Sequence, residues 1–248
     1  MNRRKVLKNL GLLLGVTVAA PGQAFDLGKA VGAAQSMGKA ATITDADLKR
    51  QFDQMTVQYD KKNTVAQADS PYAARLGTLT SGLAKYDGLN LNFKVYLTKD
   101  VNAFAMGNGT VRIYSGLMDL MTDDEIRYVI GHEIGHIKAG HSKARMKAAL
   151  TTDAVRGAVA ASDSKAAAVA DSQIGELFQK VILAQHSQAN ENEADDYAMG
   201  FLKKTKHEPM AAVTALDKLT KLSGGGGGWL ATHPAPAERA KRMRAKLA

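Results

Sequence analysis

Cysteine is absent from all 248 residues. That excludes disulfides, a thiol nucleophile and thiolate metal ligands, so a metal ion would have to be held by histidine and carboxylate, and no disulfide pattern marks the compartment. An apolar run long enough to span a bilayer is also missing. The run from Leu10 to Ala20 has eleven residues, well short of the roughly 20 a spanning helix needs. The Ala-rich stretch from 142 to about 171 is broken by Asp153, Arg156, Asp163 and Lys165. Clusters of basic and aromatic residues are lacking as well, which excludes nucleic acid as a partner although the formal charge is +9. Arg3, Arg4, Lys5 and Lys8 account for four of those charges and stand in a segment with no acid, and without them 29 basic residues face 24 acidic ones.

That N-terminal segment reads as an export signal over residues 1–24: a basic start, a short apolar run, then Pro21 and small residues before Ala24. Arg3-Arg4-Lys5-Val6-Leu7-Lys8 resembles a twin-arginine signal. A periplasmic location is therefore expected. Residues 25–44, rich in Gly, Ala and Ser, read as a flexible leader. Residues 45–248 read as one domain, and a 45% apolar content suffices for a core.

What is present is His132-Glu133-Ile134-Gly135-His136. Two histidines four apart on a helix lie about 40° apart around its axis, so both imidazoles can reach one metal ion. Glu133 sits one step round from them, where it can take a proton from water at the metal. Composition yields roughly 0.01 chance occurrences of this pattern per chain, so coincidence is the weaker reading. The helix is signalled by the capping box Thr122-Asp123-Asp124-Glu125, by Ile126, Val129 and Ile130 leading in, and by Gly140 as a stop.

Around it the periodicity predicts helices over 45–59 and 71–86, a half-buried strand over 92–98, and a hairpin of 101–106 with 110–114 about Gly107-Asn108-Gly109. An exposed edge of this small sheet, which precedes the metal helix, could bind an extended peptide by strand addition. Further helices are predicted over 173–202, over 209–222 and from Pro236, the last after five glycines, Gly224 to Gly228, that no regular element would hold. The fold expected is α+β and mainly helical, with a small sheet before the H-E-x-x-H helix.

A catalytic zinc takes three protein ligands and keeps one position open. Glu191 and Asp195, four apart, share a face, so one can bind metal while the other accepts a ring N–H from a ligating histidine, and Glu193 points about 200° away. His233, in the stiff segment Thr232-His233-Pro234-Ala235-Pro236, can serve as a donor to a developing oxyanion, and Arg239 can pair with an acid near the site. His141 is one residue out of register for a third histidine ligand and reads first as a surface residue at the helix end, with a place behind the ligands as the alternative. His186 and His207 read as ordinary helix-surface residues.

Together with Asn102-Ala103-Phe104-Ala105 and Tyr114-Ser115-Gly116-Leu117 upstream, these motifs resemble the gluzincin metallopeptidases of peptidase family forty-eight, the CAAX prenyl protease, HtpX and BepA type. The resemblance implies a zincin-like fold, one zinc ion per chain on His132, His136 and Glu191, Asp195 and Arg239 holding the ligands, and Glu133 and His233 as catalytic groups. It also implies Asn102 to Ala105 as the substrate-binding strand, and endopeptidase activity on unfolded or misassembled cell-envelope proteins. Lipid-anchored envelope members use a cysteine after the signal that this chain lacks, so membrane association is expected to be peripheral if it occurs. The alternative function is a chaperone-like quality-control binder with little turnover.

Overall fold

The structure is a computed structural model that describes residues 43–157, 166–222 and 228–248. The expected signal, nearly all of the leader and Gly224 to Gly227 lie outside the described residues. The first helix among the described residues, α1 (Asp45–Lys62), begins where the Thr44 hydroxyl accepts the Asp47 amide and the Asp47 carboxylate accepts the Thr44 amide, a reciprocal cap that satisfies two otherwise orphaned donors. Ser70 caps α2 (Pro71–Leu79). This helix is shorter than the periodicity predicts. At Thr80 the backbone leaves the helical region and the hydroxyl folds back onto the Leu76 carbonyl at 2.8 Å, and the chain then turns into a single 3-10 turn at Tyr86–Gly88.

Three strands follow, β1 (Asn92–Tyr96), β2 (Ala103–Ala105) and β3 (Thr110–Tyr114), in the order β1-β3-β2. The β2–β3 hairpin is antiparallel as expected, and β1 runs parallel to β3. The strand β1 is covered on both faces and not on one. Val95, Val111 and Ile113 pack with Ile126, Val129 and Ile130 on one side. Tyr96 and Phe104 pack with Phe52 of α1 and Phe178 on the other. What makes a polar alternation tolerable inside is Asp60 of α1. It accepts from Arg112 Nε and Nη2 at 2.9 and 3.0 Å, from Lys94 Nζ at 2.8 Å and from the Tyr96 hydroxyl at 2.8 Å. Burial pushes the Asp60 carboxyl up, but these donors outweigh it and hold the pKa at about 2.

The remaining elements are helical: α3 (Ser115–Leu120), α4 (Asp123–Lys138), α5 (His141–Gly157), α6 (Ala166–Val181), α7 (Gln188–Lys204), α8 (Ala211–Lys221), the single turn α9 (Trp229–Thr232) and α10 (Pro236–Ala245). The helix expected over 173–202 is in fact two. Ser187 caps α7 by accepting the Asn190 amide, and the His186 amide is donated to the Thr232 carbonyl at 2.8 Å instead of to a helical carbonyl. Among the described residues no helix is long and apolar enough to cross a membrane.

The contact that positions the site is α4 on α7. A Cβ at Gly131 would stand 2.7 Å from the Phe201 ring, and one at Gly135 would stand 3.1 Å from both the Cα and the carbonyl oxygen of Ala194. Only glycine admits that approach, because the neighbour at Gly135 is backbone and cannot give way.

Two outcomes are expected. Gly135→Val should overpack this crossing and cost at least about 1–3 kcal/mol, read as a lowered Tm. Asp60→Ala should cost roughly 3–5 kcal/mol at pH 7, because Arg112, 1% exposed, is left without its carboxylate. The folded pKa of Asp60, about 2, lies below its ordinary 3.8. Its contribution is therefore whole above pH 3.8 and lost as the pH falls through 2. Urea unfolding of wild type and variant should converge across that window.

Candidate metal centre

The helix α4 opens on the Thr122 cap, with Glu125 closing the box through its carboxylate on the Thr122 amide at 2.7 Å. That start sets the rotation of the helix, and its second half presents His132, Glu133 and His136, all buried. From α7 come Glu191 and Asp195, both 0% exposed, while the Glu193 side chain is 64% exposed. The spacing argument thus places the first two inward and the third outward. His233 follows α9, and Arg239 lies in the first turns of α10, both buried.

Donor atoms of four residues converge. His132 Nε2 and His136 Nε2 are 3.0 Å apart. Glu191 Oε1 is 3.3 Å from His136 Nε2, and Glu191 Oε2 is 3.6 Å from His132 Nε2. His233 Nδ1 lies 3.3 Å from His132 Nε2 and 3.1 Å from Glu191 Oε1. A tetrahedral set of ligands at 2.0–2.1 Å from a zinc ion has its donors about 3.3 Å apart, and the distances here run from 3.0 to 3.6 Å. Glu133 Oε1 is buried without a hydrogen bond, an arrangement that is costly unless a cation or its water completes it. The residues therefore fit a divalent metal ion of nitrogen and oxygen preference.

The orientation of His132 is fixed from behind. Its Nδ1 is 3.0 Å from Asp195 Oδ1, so Nδ1 carries the proton and Nε2 is left bare toward the donor cluster. Asp195 in turn accepts from the Tyr128 hydroxyl at 2.7 Å and from Arg239 Nε and Nη2 at 2.9 and 2.6 Å. Arg239 Nη1 is also in ionic contact with Glu191. Burial would raise the pKa of both acids. For Glu191 the imidazoles of His233, His132 and His136 around it override it, and for Asp195 the Arg239 guanidinium does, so both are held well below the carboxylate range. Burial acts the other way on His136 and holds it well below the usual histidine value, hence neutral and able to coordinate.

Several site residues escape the sequence reading. Tyr128 precedes His132 by one helical turn on the same face, a spacing that could have drawn attention to it. His186 is not a helix-surface residue. It is buried in the bend between α6 and α7, stacked on His233 with rings 5.1 Å apart and inclined 11°. It lies there because the broken helix turns the segment inward. His207 is in the turn after α7, half-buried, 3.4 Å from Asp124. His141 starts α5 and is buried, with Nδ1 2.8 Å from His136 Nδ1, so of its two expected places it takes the one behind a ligand. Trp229, the chain's one tryptophan, stacks on the other side of His233 at 4.4 Å and 21° and lies under Arg239 at 4.9 Å.

The predicted substrate strand, Asn102 to Ala105, is the edge strand β2 with its preceding residue. The amide of Tyr114 bonds the Asn102 carbonyl and that of Met106 bonds the Thr110 carbonyl, so Ala103 and Ala105 turn their backbone groups away from β3. The Ala103 amide is taken by Asn102 Oδ1 at 2.9 Å.

Comparison with known proteins places this geometry. Residues 73–247 match Peptidase family M48. Metalloprotease LoiP of Escherichia coli (strain K12) is 44% identical over 211 residues, covering 84% of this chain and 84% of its own. Metalloprotease YcaL of the same organism is 38% identical over 251 residues, covering 98% and 99%. The mitochondrial metalloendopeptidase OMA1 of Arabidopsis thaliana is 27% identical over 63% of this chain and 32% of its own length. With a family match across most of the chain and two relatives matched over 84% and 99% of their own length, the chain belongs to peptidase family M48 and is a metal-dependent endopeptidase.

Proposed function

We propose that the protein is a zinc endopeptidase that cleaves unfolded or misassembled proteins in the periplasm. The observation that carries this reading is the convergence of His132, His136 and Glu191 on one point with Glu133 beside it. An exported location is supported by the signal-like residues 1–24, and a preference for unfolded chains by the edge strand β2, because only an extended segment can pair with it.

His132, His136 and Glu191 would hold the zinc ion, which would supply Lewis acidity for a scissile carbonyl and for water. The chain does the rest. Glu133 takes the proton of the attacking water and passes it to the departing amine. Ala103 and Ala105 hold the substrate backbone extended. Asp195, Arg239 and Tyr128 keep the His132 ring from turning. His233 has two positions in this reading. At rest its Nδ1 completes the donor set while its Nε2 lies 3.4 Å from Glu133 Oε1. With substrate bound the ring moves off and donates to the developing oxyanion.

Casein digestion by the zinc-loaded mature protein tests the reading. Glu133→Gln should keep one zinc ion per chain and lose cleavage, whereas Glu191→Ala should lose the metal, both read by elemental analysis after dialysis. Cleavage by Glu133→Gln in a preparation free of other proteases would sink the assignment. For His233→Ala, zinc affinity should weaken and kcat should fall on the order of 10²-fold. A rise in kcat would reduce His233 to a plug.

A further inference from the structure

Two of the site's imidazoles look toward the donor cluster through Nε2, and each has something behind it. Behind His132 is Asp195. Behind His136 stands another imidazole, with His136 Nδ1 and His141 Nδ1 2.8 Å apart. On the far side of that ring, His141 Nε2 is 3.2 Å from Glu193 Oε2. Gly140 separates the two histidines and lets the chain turn, so His141 heads α5 with its ring back against α4.

A neutral imidazole carries one proton, and two Nδ1 atoms at 2.8 Å can share only one between them. If His136 coordinates through Nε2, its proton is on Nδ1 and is donated to a bare His141 Nδ1. The proton of His141 is then on Nε2, where it is donated to Glu193. A single assignment satisfies all three groups. We infer that His141 and Glu193 form a positioning relay behind His136, fixing that ligand in the Nδ1–H tautomer with Nε2 turned to the metal. The inference rests on the zinc reading above.

A competing use of the same residues exists. His136, His141 and His186 each offer a nitrogen within 4.8 Å of the others, which is enough for a second cation. One observation opposes it. Arg145 Nη2 lies 2.8 Å from His186 Nε2, so a cation there would face a full positive charge in a buried setting. The burial that lowers the pKa of Arg145 to about 10 leaves it charged at neutral pH.

The test uses the full mature protein and its variants, with zinc affinity read by competition against a chromophoric chelator. His141→Ala should raise the zinc Kd by roughly 10- to 100-fold with unchanged circular dichroism. His141→Gln should recover most of that loss, because an amide can accept from His136 and donate to Glu193. Glu193→Gln, changed at the solvent end, should shift the Kd less than tenfold. Nitrogen-15 spectra of the zinc-loaded wild type should show His136 protonated at Nδ1 and His141 protonated at Nε2, a readout that decides even where His141→Ala fails to fold. An unchanged Kd in a folded His141→Ala, or a His141 protonated at Nδ1, overturns the inference. So does a second bound zinc that disappears in His186→Ala. Wild type that binds one zinc beside an unaffected His141→Ala ends this inference alone, whereas wild type that binds none ends the zinc reading with it.

Discussion

How near the backbone of α4 comes to that of α7 decides whether there is a metal centre at all. Helices usually pack with axes about 8–10 Å apart, and a glutamate side chain reaches across only if the seam itself is thin. Here the seam is built from Gly131 and Gly135 on one helix and Ala194 and Ala198 on the other, with the two alanines fully buried. Small residues at one-turn spacing on both partners also fix the register. Once Gly135 rests on Ala194, Glu191 lies opposite His132 and His136, and Asp195 falls behind His132, without any freedom to slide.

That geometry forces three carboxylates, Glu133, Glu191 and Asp195, out of water together. Such burial is expensive unless charges and hydrogen bonds compensate. Arg239 is the main internal compensation: its guanidinium forks onto Asp195, contacts Glu191, and lies over the Trp229 indole. Its own pKa is driven up by the acids and Tyr128 despite burial. One guanidinium does not neutralise three carboxylates, and a divalent ion restores the balance. Metal binding and the stability of this half of the fold are therefore linked, as they are wherever a site is assembled only in the folded state.

The parts of this arrangement that were legible in the sequence are those governed by local rules. The Thr122 capping box, the four-residue spacing of His132 and His136, and the shared face of Glu191 and Asp195 depend only on helical geometry, and the structure places them accordingly. The hairpin about Gly107-Asn108-Gly109 was equally local. What was not legible depends on contacts between distant segments. The break at Ile182 to Ser187 goes with a hydrogen bond from the His186 amide to the Thr232 carbonyl, from a distant part of the chain. The burial of the second face of β1 follows from Asp60 arriving from α1. Periodicity reports which face of an element is apolar, and a face lined with Lys94, Tyr96 and Arg112 reads as wet until its counter-charge is seen.

The segment that carries His233 is tied down through its backbone. Trp229 donates its amide to the Val101 carbonyl, His233 donates its amide to the Trp229 carbonyl, and the Thr232 carbonyl accepts from His186. Val101 stands just before β2, on the same edge to which Ala103 and Ala105 turn their backbone groups. The edge proposed for substrate and the segment that holds His233 against the donor cluster therefore share a backbone group. A strand pairing along β2 as far as Val101 meets a carbonyl that Trp229 already uses, and it can take that carbonyl only by loosening the turn on which His233 sits. Under the function proposed above, occupancy of the edge and the position of His233 would therefore be linked through this one hydrogen bond.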